Sequence, residues 1–367
     1  PETRVVTMVK REQVITWLLT PLSWIYGGIM ALRNWLFDNK VLSQSEYDVP
    51  VVSVGNITVG GTGKTPHVEY ILSCMASDYN IAVLSRGYKR KTRGFLMANS
   101  HSTPESIGDE PLQIYRKFGM RVKVAVCERR KKGISELLRQ YPDIQMILLD
   151  DAFQHRYVKP RVSILLTDHS HPIYKDRILP LGRLRESWRQ VERADMVVVT
   201  KCPDSMQPLD YRLFSKDLEI RPYQGLYFST ISYGSIMPVY PDDEPYNVNL
   251  SALTHDDSVL LLTGIANPRN FVRYFRNYPF KATVCHYDDH HDFSRKDIAD
   301  IEKKFNSLTG KRKMILTTEK DAVRLAYNPY VPHRLKQLMY YLPISVCMKQ
   351  GLDSNDFISD LIKRTGL

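Results

Sequence analysis

From residue 50 onward, short apolar runs alternate with amphipathic stretches. The runs are Val51–Val54, Ile81–Leu84, Val122–Val126, Met146–Leu149, Ser163–Leu166 and Met196–Val199. Runs with little internal polar alternation predict strands buried on both faces, and the stretches between them predict helices covering a mostly parallel sheet. Between about 203 and 250 the rhythm loosens into Pro-, Tyr- and Asp-rich sequence, including Pro238, Pro241, Asp242, Asp243 and Pro245, which places a domain junction there. A second, smaller α/β unit is expected beyond it. Its strands would be Val259–Leu262, Lys281–Cys285 and Met314–Thr317, and its helices would lie near 267–276, 294–306 and 319–326.

Before residue 50 the pattern differs. Residues 14–32 carry no charge, but Thr16, Thr20, Pro21, Ser23, Gly27 and Gly28 dilute the hydrophobicity. On a helix, Val14, Trp17, Leu18, Pro21, Leu22, Ile25, Ile29, Leu32 and Leu36 form one stripe, with Thr16, Thr20, Ser23, Gly27 and Asn34 largely elsewhere. Lys10, Arg11, Arg33 and Lys40 flank it. Three readings are open: a segment lying in the lipid headgroup region, a true span, or a helix packed on the protein's own core. Aromatic residues between basic ends suit the first. A secretory signal would have a shorter apolar run and a small-residue cleavage site.

The stretch with the clearest chemistry follows the first apolar run. Thr58-Val59-Gly60-Gly61-Thr62-Gly63-Lys64-Thr65 sits between a predicted strand and a helix that Pro66 would start, and it reads as a phosphate-binding loop. In such a loop backbone N–H groups cradle phosphates, the lysine reaches the outer ones and the next hydroxyl holds Mg²⁺. The strict pattern has glycine where this chain has Thr58, although Gly60, Gly61 and Gly63 keep the turn permissive. Met146–Leu149 then delivers Asp150 and Asp151 to a strand end, the form of a Walker B element whose carboxylate helps hold Mg²⁺. The bland reading of the pair is a cap on the next helix. Together the two motifs predict ATP and Mg²⁺ as cofactors, bound beyond the carboxyl ends of the strands.

Other charged stretches are more ambiguous. Ser85-Arg86-Gly87-Tyr88-Lys89-Arg90-Lys91 is either a phosphate-binding cationic loop or a solvated charge run. Gly108-Asp109-Glu110-Pro111 puts two carboxylates before a helix, where capping alone would explain Asp109. Asp288-Asp289-His290-His291-Asp292 reads as a metal site, a carboxylate–histidine base or a polar turn. In Leu179–Glu186, Arg183 and Arg185 suit a clamp on anionic groups.

Charge and cysteine usage narrow the class. The 367 residues carry 51 Lys and Arg against 40 Asp and Glu, a formal net charge of +11. That balance suits anionic membrane, nucleic acid or a phosphorylated substrate. No zinc-finger, RNP-type or K-homology pattern is present, so nucleic acid is not expected as a partner. Cys74, Cys127, Cys202, Cys285 and Cys347 are scattered and odd in number, which argues against a disulfide framework or zinc site and suits a reducing compartment.

In order along the chain, Val54-Gly55-Asn56 leads into Thr58–Pro66. Then come Ser85–Tyr88, Gly108–Pro111, Asp150-Asp151-Ala152-Phe153-Gln154-His155, Pro180–Glu186, Thr200-Lys201, Gly264–Pro268, Asp289–His291 and Thr318–Ala322. On these motifs nearly the whole chain resembles the tetraacyldisaccharide 4'-kinase family. The resemblance makes Thr58 ordinary. Ala152 and Lys89 depart from the family's pattern, each standing where glycine is common. It implies transfer of the ATP γ-phosphate to the 4'-hydroxyl of an acylated glucosamine disaccharide 1-phosphate, giving lipid IVA in lipid A biosynthesis. It also implies a place at the cytoplasmic face of the bacterial inner membrane, peripheral or monotopic, against anionic lipid. The oligomeric state stays open.

With that resemblance, the expected organisation is a membrane-associating helical segment over 1–40, a phosphate-loop kinase core over 41–228, and a smaller α/β domain over 229–367 that contributes to the cleft. Thr58 to Thr65 would bind the nucleotide, with Lys64 on the outer phosphates. Thr65 with Asp150 or Asp151 would hold Mg²⁺, Asp151 also counting among the catalytic groups. Asp109 would accept the acceptor hydroxyl's proton, and His290 from the second unit would assist Asp109 or the paired aspartates by hydrogen bonding. Arg86, with Arg183 or Arg185, would bind the acceptor's phosphate or the transferring group.

Three rivals remain from the sequence. A guanine-binding switch would want an N-K-x-D element, but after Thr200-Lys201 position 203 is Pro and the aspartate comes one residue late, at Asp204. A phosphoesterase built on Asp289-His290-His291 leaves the loop at 58–65 without a role. A nucleotide-binding membrane scaffold would bind ATP and transfer nothing.

Overall fold

The computed structural model describes residues 2–246, 248–349 and 356–367. The strands are β1 (Val51–Gly55), β2 (Ile81–Ser85), β3 (Leu96–Met97), β4 (Lys123–Val126), β5 (Met146–Asp150), β6 (Val162–Asp168), β7 (Met196–Thr200), β8 (Gly225–Tyr233), β9 (Met237–Pro238), β10 (Ser258–Thr263), β11 (Lys281–His286), β12 (Lys313–Thr318), β13 (Met339–Leu342) and β14 (Ile344–Lys349). They form a nine-stranded sheet in the order β14-β8-β7-β6-β1-β5-β2-β4-β3 and a five-stranded sheet in the order β11-β10-β12-β13-β9. In the larger sheet β8 through β4 run parallel, with antiparallel β14 and β3 closing the edges. The expected doubly covered α/β architecture is present, with a second smaller α/β sheet.

Side chains alternate across the large sheet because strand residues point to opposite faces in turn. Val52, Val54, Val83, Leu148 and Ile164 face the helices Lys64–Met75, Asp109–Phe118 and Phe357–Thr365. Val51, Ala82, Leu84, Ile147 and Leu149 face the helix Arg130–Gln140. The strands therefore read as unbroken apolar runs. β1 lies between β5 and β6, so its carboxyl end opens at a reversal of strand order, where open α/β sheets form their crevice. The pairing Val54↔Asp150 sets the end of β5 beside the start of the 58–65 loop.

Sheet membership does not follow one cut. A division at residue 228 falls inside β8, and the chain returns from the second sheet through β14, which pairs with β8. The last helix then packs Phe357 and Leu361 into the first core, where Tyr227 donates to Asp360 at 2.6 Å. Two connections thus run between the sheets. They touch where Gly234 N–H donates to Pro343 O at 3.0 Å.

Residues Glu2–Asp38 form one helix, with Pro21 inside it. Its outward face is apolar: Trp17, Leu18, Leu22, Trp24, Ile25, Ile29, Leu32 and Trp35 are all more than half exposed. The inward face is polar. Ser23 Oγ donates to Ile178 O at 2.8 Å, Asn34 Nδ2 to Glu186 Oε2 at 3.0 Å and Arg33 to Gln154 O at 2.7 Å. Phe37 is buried against Tyr157, between the guanidinium groups of Arg33 and Arg156. Among the described residues no helix is long and apolar enough to cross a membrane. The helix does pack on the protein, but through its polar side, leaving the stripe uncovered.

Candidate active site

The loop between β1 and the helix Lys64–Met75 is held from several sides. Gly60 and Gly63 take positive φ values of 113° and 89°, which glycine adopts without a Cβ penalty. Thr58 needs no such freedom: it pairs in antiparallel fashion with Leu184, while Asn56 Nδ2 donates to its Oγ1 at 3.3 Å and to Thr62 Oγ1 at 2.8 Å. Val59 N–H donates to Arg183 O at 2.8 Å and Arg185 N–H to Ile57 O at 2.7 Å, so the arginine loop and the phosphate loop are stitched together. From the ends of β6 and β7, Thr200 Oγ1 donates to Thr62 O at 2.9 Å, and Lys201, paired with Asp168 at 2.7 Å, donates to Gly61 O. The Thr200-Lys201 element therefore braces the loop. His67, buried at its base, donates from Nδ1 to Gly63 O at 2.7 Å and accepts from Ser229 Oγ at 2.9 Å.

At the end of β5 the two aspartates differ. Asp150 is fully buried, and neither carboxylate oxygen has a hydrogen-bond partner. Burial, with the charges of Glu110 and Asp151, pushes its carboxyl up to about 8, against the pull of Lys64 and Arg130. Asp151 lies 3.7 Å from both Lys64 Nζ and an Arg185 guanidinium nitrogen. It holds a positive φ of 48°, a strained region tolerated by Asp and common at functional sites. Ala152 needs no positive φ, so replacing the family's glycine there adds no strain. The bare carboxylate oxygens of Asp150 and the Thr65 hydroxyl are the kind of hard donor that Mg²⁺ takes. Among the described residues no group of three or more His, Cys, Asp or Glu side chains is placed to hold a metal ion by itself.

A second cluster faces this one at the start of the helix Asp109–Phe118. Arg324 Nε donates to Asp109 Oδ2 at 2.6 Å, and His290 Nδ1 stands 3.3 Å from the same oxygen. Lys320 Nζ stands 2.8 Å from His290 Nε2, and an Arg324 guanidinium nitrogen stands 3.0 Å from the same Nδ1 that approaches Asp109, so His290 is wedged between two cations and the carboxylate. Burial raises the Asp109 carboxyl, but hydrogen bonding to His290 and the Arg324 charge outweigh it and hold the group below the usual carboxylate range. Asp109 is thus an ionised acceptor. Glu110, next to it, bears electrostatically on Asp150 and lies 3.4 Å from Lys320, which links the two clusters.

The loop after β2 is built into the same wall. A Cβ on Gly108 would stand 3.0 Å from Tyr88 O, and its φ of 92° excludes most side chains, so Gly108 lets the two loops meet backbone to backbone. Tyr88 meets His290 edge-on at 5.2 Å. Lys89, where the family often has glycine, adopts a φ of 59° and donates to His290 O at 3.1 Å.

The structure places the expected residues unevenly. Lys64, Thr65, Asp150, Asp151 and Arg185 converge at the loop, and Asp109 and His290 meet across the two sheets. Arg183 contributes its backbone to the loop while its side chain pairs with Asp176 at 3.1 Å. Arg86 is exposed, near enough to Arg130 and His155 to lower both of their pKa values. His291 turns away to Asp297 at 3.1 Å, so the two histidines share no ligand. Sequence reasoning passed over three contributors: Arg324 and Lys320, which hold Asp109 and His290, and Arg130, buried behind Asp150. The signal for Arg324 was the charge-rich helix start directly after β12.

A glycine-rich loop ending in Lys64 and Thr65 between a parallel strand and a helix, with paired aspartates at the neighbouring strand's end, is the arrangement of the phosphate-loop phosphotransferases. Comparison with known proteins narrows the class. The family model described as tetraacyldisaccharide-1-P 4'-kinase matches residues 15–363, and the chain belongs to that family. It is 48% identical over 340 residues to the tetraacyldisaccharide 4'-kinase of Bacteroides thetaiotaomicron, covering 91% of this chain and 89% of that one. It is also 48% identical over 348 residues to that of Parabacteroides distasonis, covering 93% of each. The crystal structure of LpxK from Aquifex aeolicus in complex with ATP superposes with a TM-score of 0.70 at 27% identity, covering 96% of this chain and 99% of that one.

Proposed function

We infer that this kinase transfers the γ-phosphate of ATP to the 4'-hydroxyl of an acylated glucosamine disaccharide 1-phosphate, giving lipid IVA. The carrying observation is Asp109, kept ionised by groups from the second sheet and adjacent to Glu110, whose charge bears on Asp150 at the end of β5. The backbone from Thr58 to Gly63 cradles the phosphates, and Lys64 neutralises the outer ones. The acceptor oxygen forms its bond to the γ-phosphorus as the bond to the β-phosphate oxygen breaks. The hydroxyl proton passes to Asp109, and ADP leaves. A loose transition state of this kind needs alignment and charge stabilisation more than a strong base, which suits a carboxylate of low pKa. His290 and Arg324 orient Asp109. Thr65, Asp150 and Asp151 would hold Mg²⁺, which would supply charge neutralisation at the phosphates.

Arg185 reaches Asp151 and Gln154 in the cleft and is placed to meet the transferring group, with Arg183 fixing its loop and Arg86 at the mouth for the acceptor's phosphate. The apolar stripe of the N-terminal helix lies in the headgroup region of the cytoplasmic face, where the exposed Lys40 favours anionic lipid. A cleft of about 640 Å³, lined by Trp24, Gly27, Ile178, Leu181 and Trp188, opens between that helix and the arginine loop. An acyl chain entering there leads its sugar towards Arg185. Supplying γ-labelled ATP and the disaccharide 1-phosphate in detergent tests the reading. Label should enter the lipid; label released only as free phosphate would contradict it.

A further inference from the structure

We propose that Lys117 is a positioning residue that sets the alignment of the two halves of the active site. Three helices carry site residues: Lys64–Met75 begins with Lys64 and Thr65, Asp109–Phe118 begins with Asp109, and Glu319–Leu325 carries Lys320 near its start and Arg324 in its last turn. Away from the cleft, one ammonium joins all three. Lys117 Nζ donates to Glu69 Oε2 at 2.7 Å and to Glu319 Oε1 at 3.0 Å. The remaining carboxylate oxygens are also used: Glu69 Oε1 accepts from Gln113 Nε2 at 2.8 Å, and Glu319 Oε2 from Ile344 N–H at 3.1 Å.

The placement makes this node a mechanical link. Asp109, Gln113 and Lys117 recur every four residues, so they share one face of a single helix. Glu319 directly precedes Lys320, the residue that holds His290. Ile344 begins β14 immediately after Pro343, which touches Gly234 where the two inter-sheet connections run side by side. The node therefore sits at the crossing between the sheets, and any rotation there moves Arg324 and His290 relative to Asp109.

Its electrostatics require the cation. Glu69 and Glu319 are both more than nine-tenths buried. Burial pushes the Glu69 carboxyl up to about 7 against the pull of Lys117, with Glu319 adding to the rise. Tyr341 is within electrostatic reach of the node and of Arg116, and its hydroxyl pKa is raised chiefly by burial and by Glu319. Without Lys117, two buried carboxylates would face each other across the interface, a strongly unfavourable arrangement.

The inference rests on Asp109 as the proton acceptor, so the test separates the two. In the full-length enzyme, Lys117→Met should lower kcat at least roughly tenfold, since sub-ångström misplacement is costly in phosphoryl transfer. KM for ATP should stay within about twofold, because the phosphate loop itself is untouched. Lys117→Arg, which keeps a cation between the carboxylates, should restore kcat to within about threefold of the wild type. Should Lys117→Met not fold, Glu319→Gln removes one charge with little change of shape and should lower kcat in the same direction with the same unchanged KM. Wild-type kcat in a folded Lys117→Met or Glu319→Gln protein overturns the proposal. A rise in KM for ATP with kcat preserved does so too. If Asp109→Asn also turns over normally, the proton-acceptor reading itself has failed; if it is inactive while the Lys117 and Glu319 variants are normal, only the positioning role has.

Discussion

Lys64 and His67 sit three residues apart on one helix and do different work. With Lys64 assigned to the outer phosphates, Lys64→Ala should cut turnover by at least roughly 10²-fold with the fold intact, measured as transfer rate against circular dichroism. His67 acts on stability. Burial holds its pKa down to about 4, against about 6.5 for a free imidazole, because a charge there would be desolvated beside Lys201. The neutral ring is the one the fold accepts, so its contribution is complete above pH 6.5 and is lost as pH falls towards 4. The loss amounts to about 3 kcal/mol by linkage. Urea midpoints should fall between pH 7 and 4.5 in the wild type and fall less steeply in His67→Gln; equal slopes would contradict this. Lys64, Thr65, Asp150 and Asp151 were legible because a loop and a strand end fix their geometry locally. Arg324 and Lys117 were not, since their roles depend on which helices meet, and a lone Arg or Lys on a helix looks the same whether solvated or buried against a carboxylate.

At the scale of elements, the N-terminal helix presents its apolar stripe outward and its polar side inward. Replacing Trp17, Leu22 and Ile25 together with Glu should therefore leave thermal stability nearly unchanged while weakening flotation with anionic liposomes at least roughly tenfold, because the lost burial is against lipid. Unchanged flotation would remove the membrane role. The stripe could be read from helical spacing, but which side faced the protein could not, since burial of Ser23 and Asn34 depends on acceptors at Ile178 and Glu186. The parallel strands β1, β2 and β4 to β7 were visible as apolar runs. β8 and β14 were hidden because their many half-exposed positions tolerate Ser, Thr, Tyr and Cys, and β9 and β3 are only two residues each.

For the whole molecule, the chain leaves the large sheet after β8 and returns as β14, so the second sheet is an insertion gripped at both ends. The Pro-rich stretch near 240 lies beside β9, the first strand of the second sheet along the chain, yet it carries no sign of the return, which is a matter of long-range pairing. That topology brings His290, Lys320 and Arg324 to Asp109 and Glu110, which belong to a helix packed on the first sheet. Proton acceptance by Asp109 under the control of the inserted unit is the central claim. Single-turnover transfer from γ-labelled ATP to the disaccharide 1-phosphate by Asp109→Asn tests it most directly. The rate should fall at least roughly 10²-fold with ATP affinity unchanged. Transfer at near the wild-type rate by a folded Asp109→Asn enzyme would contradict the account.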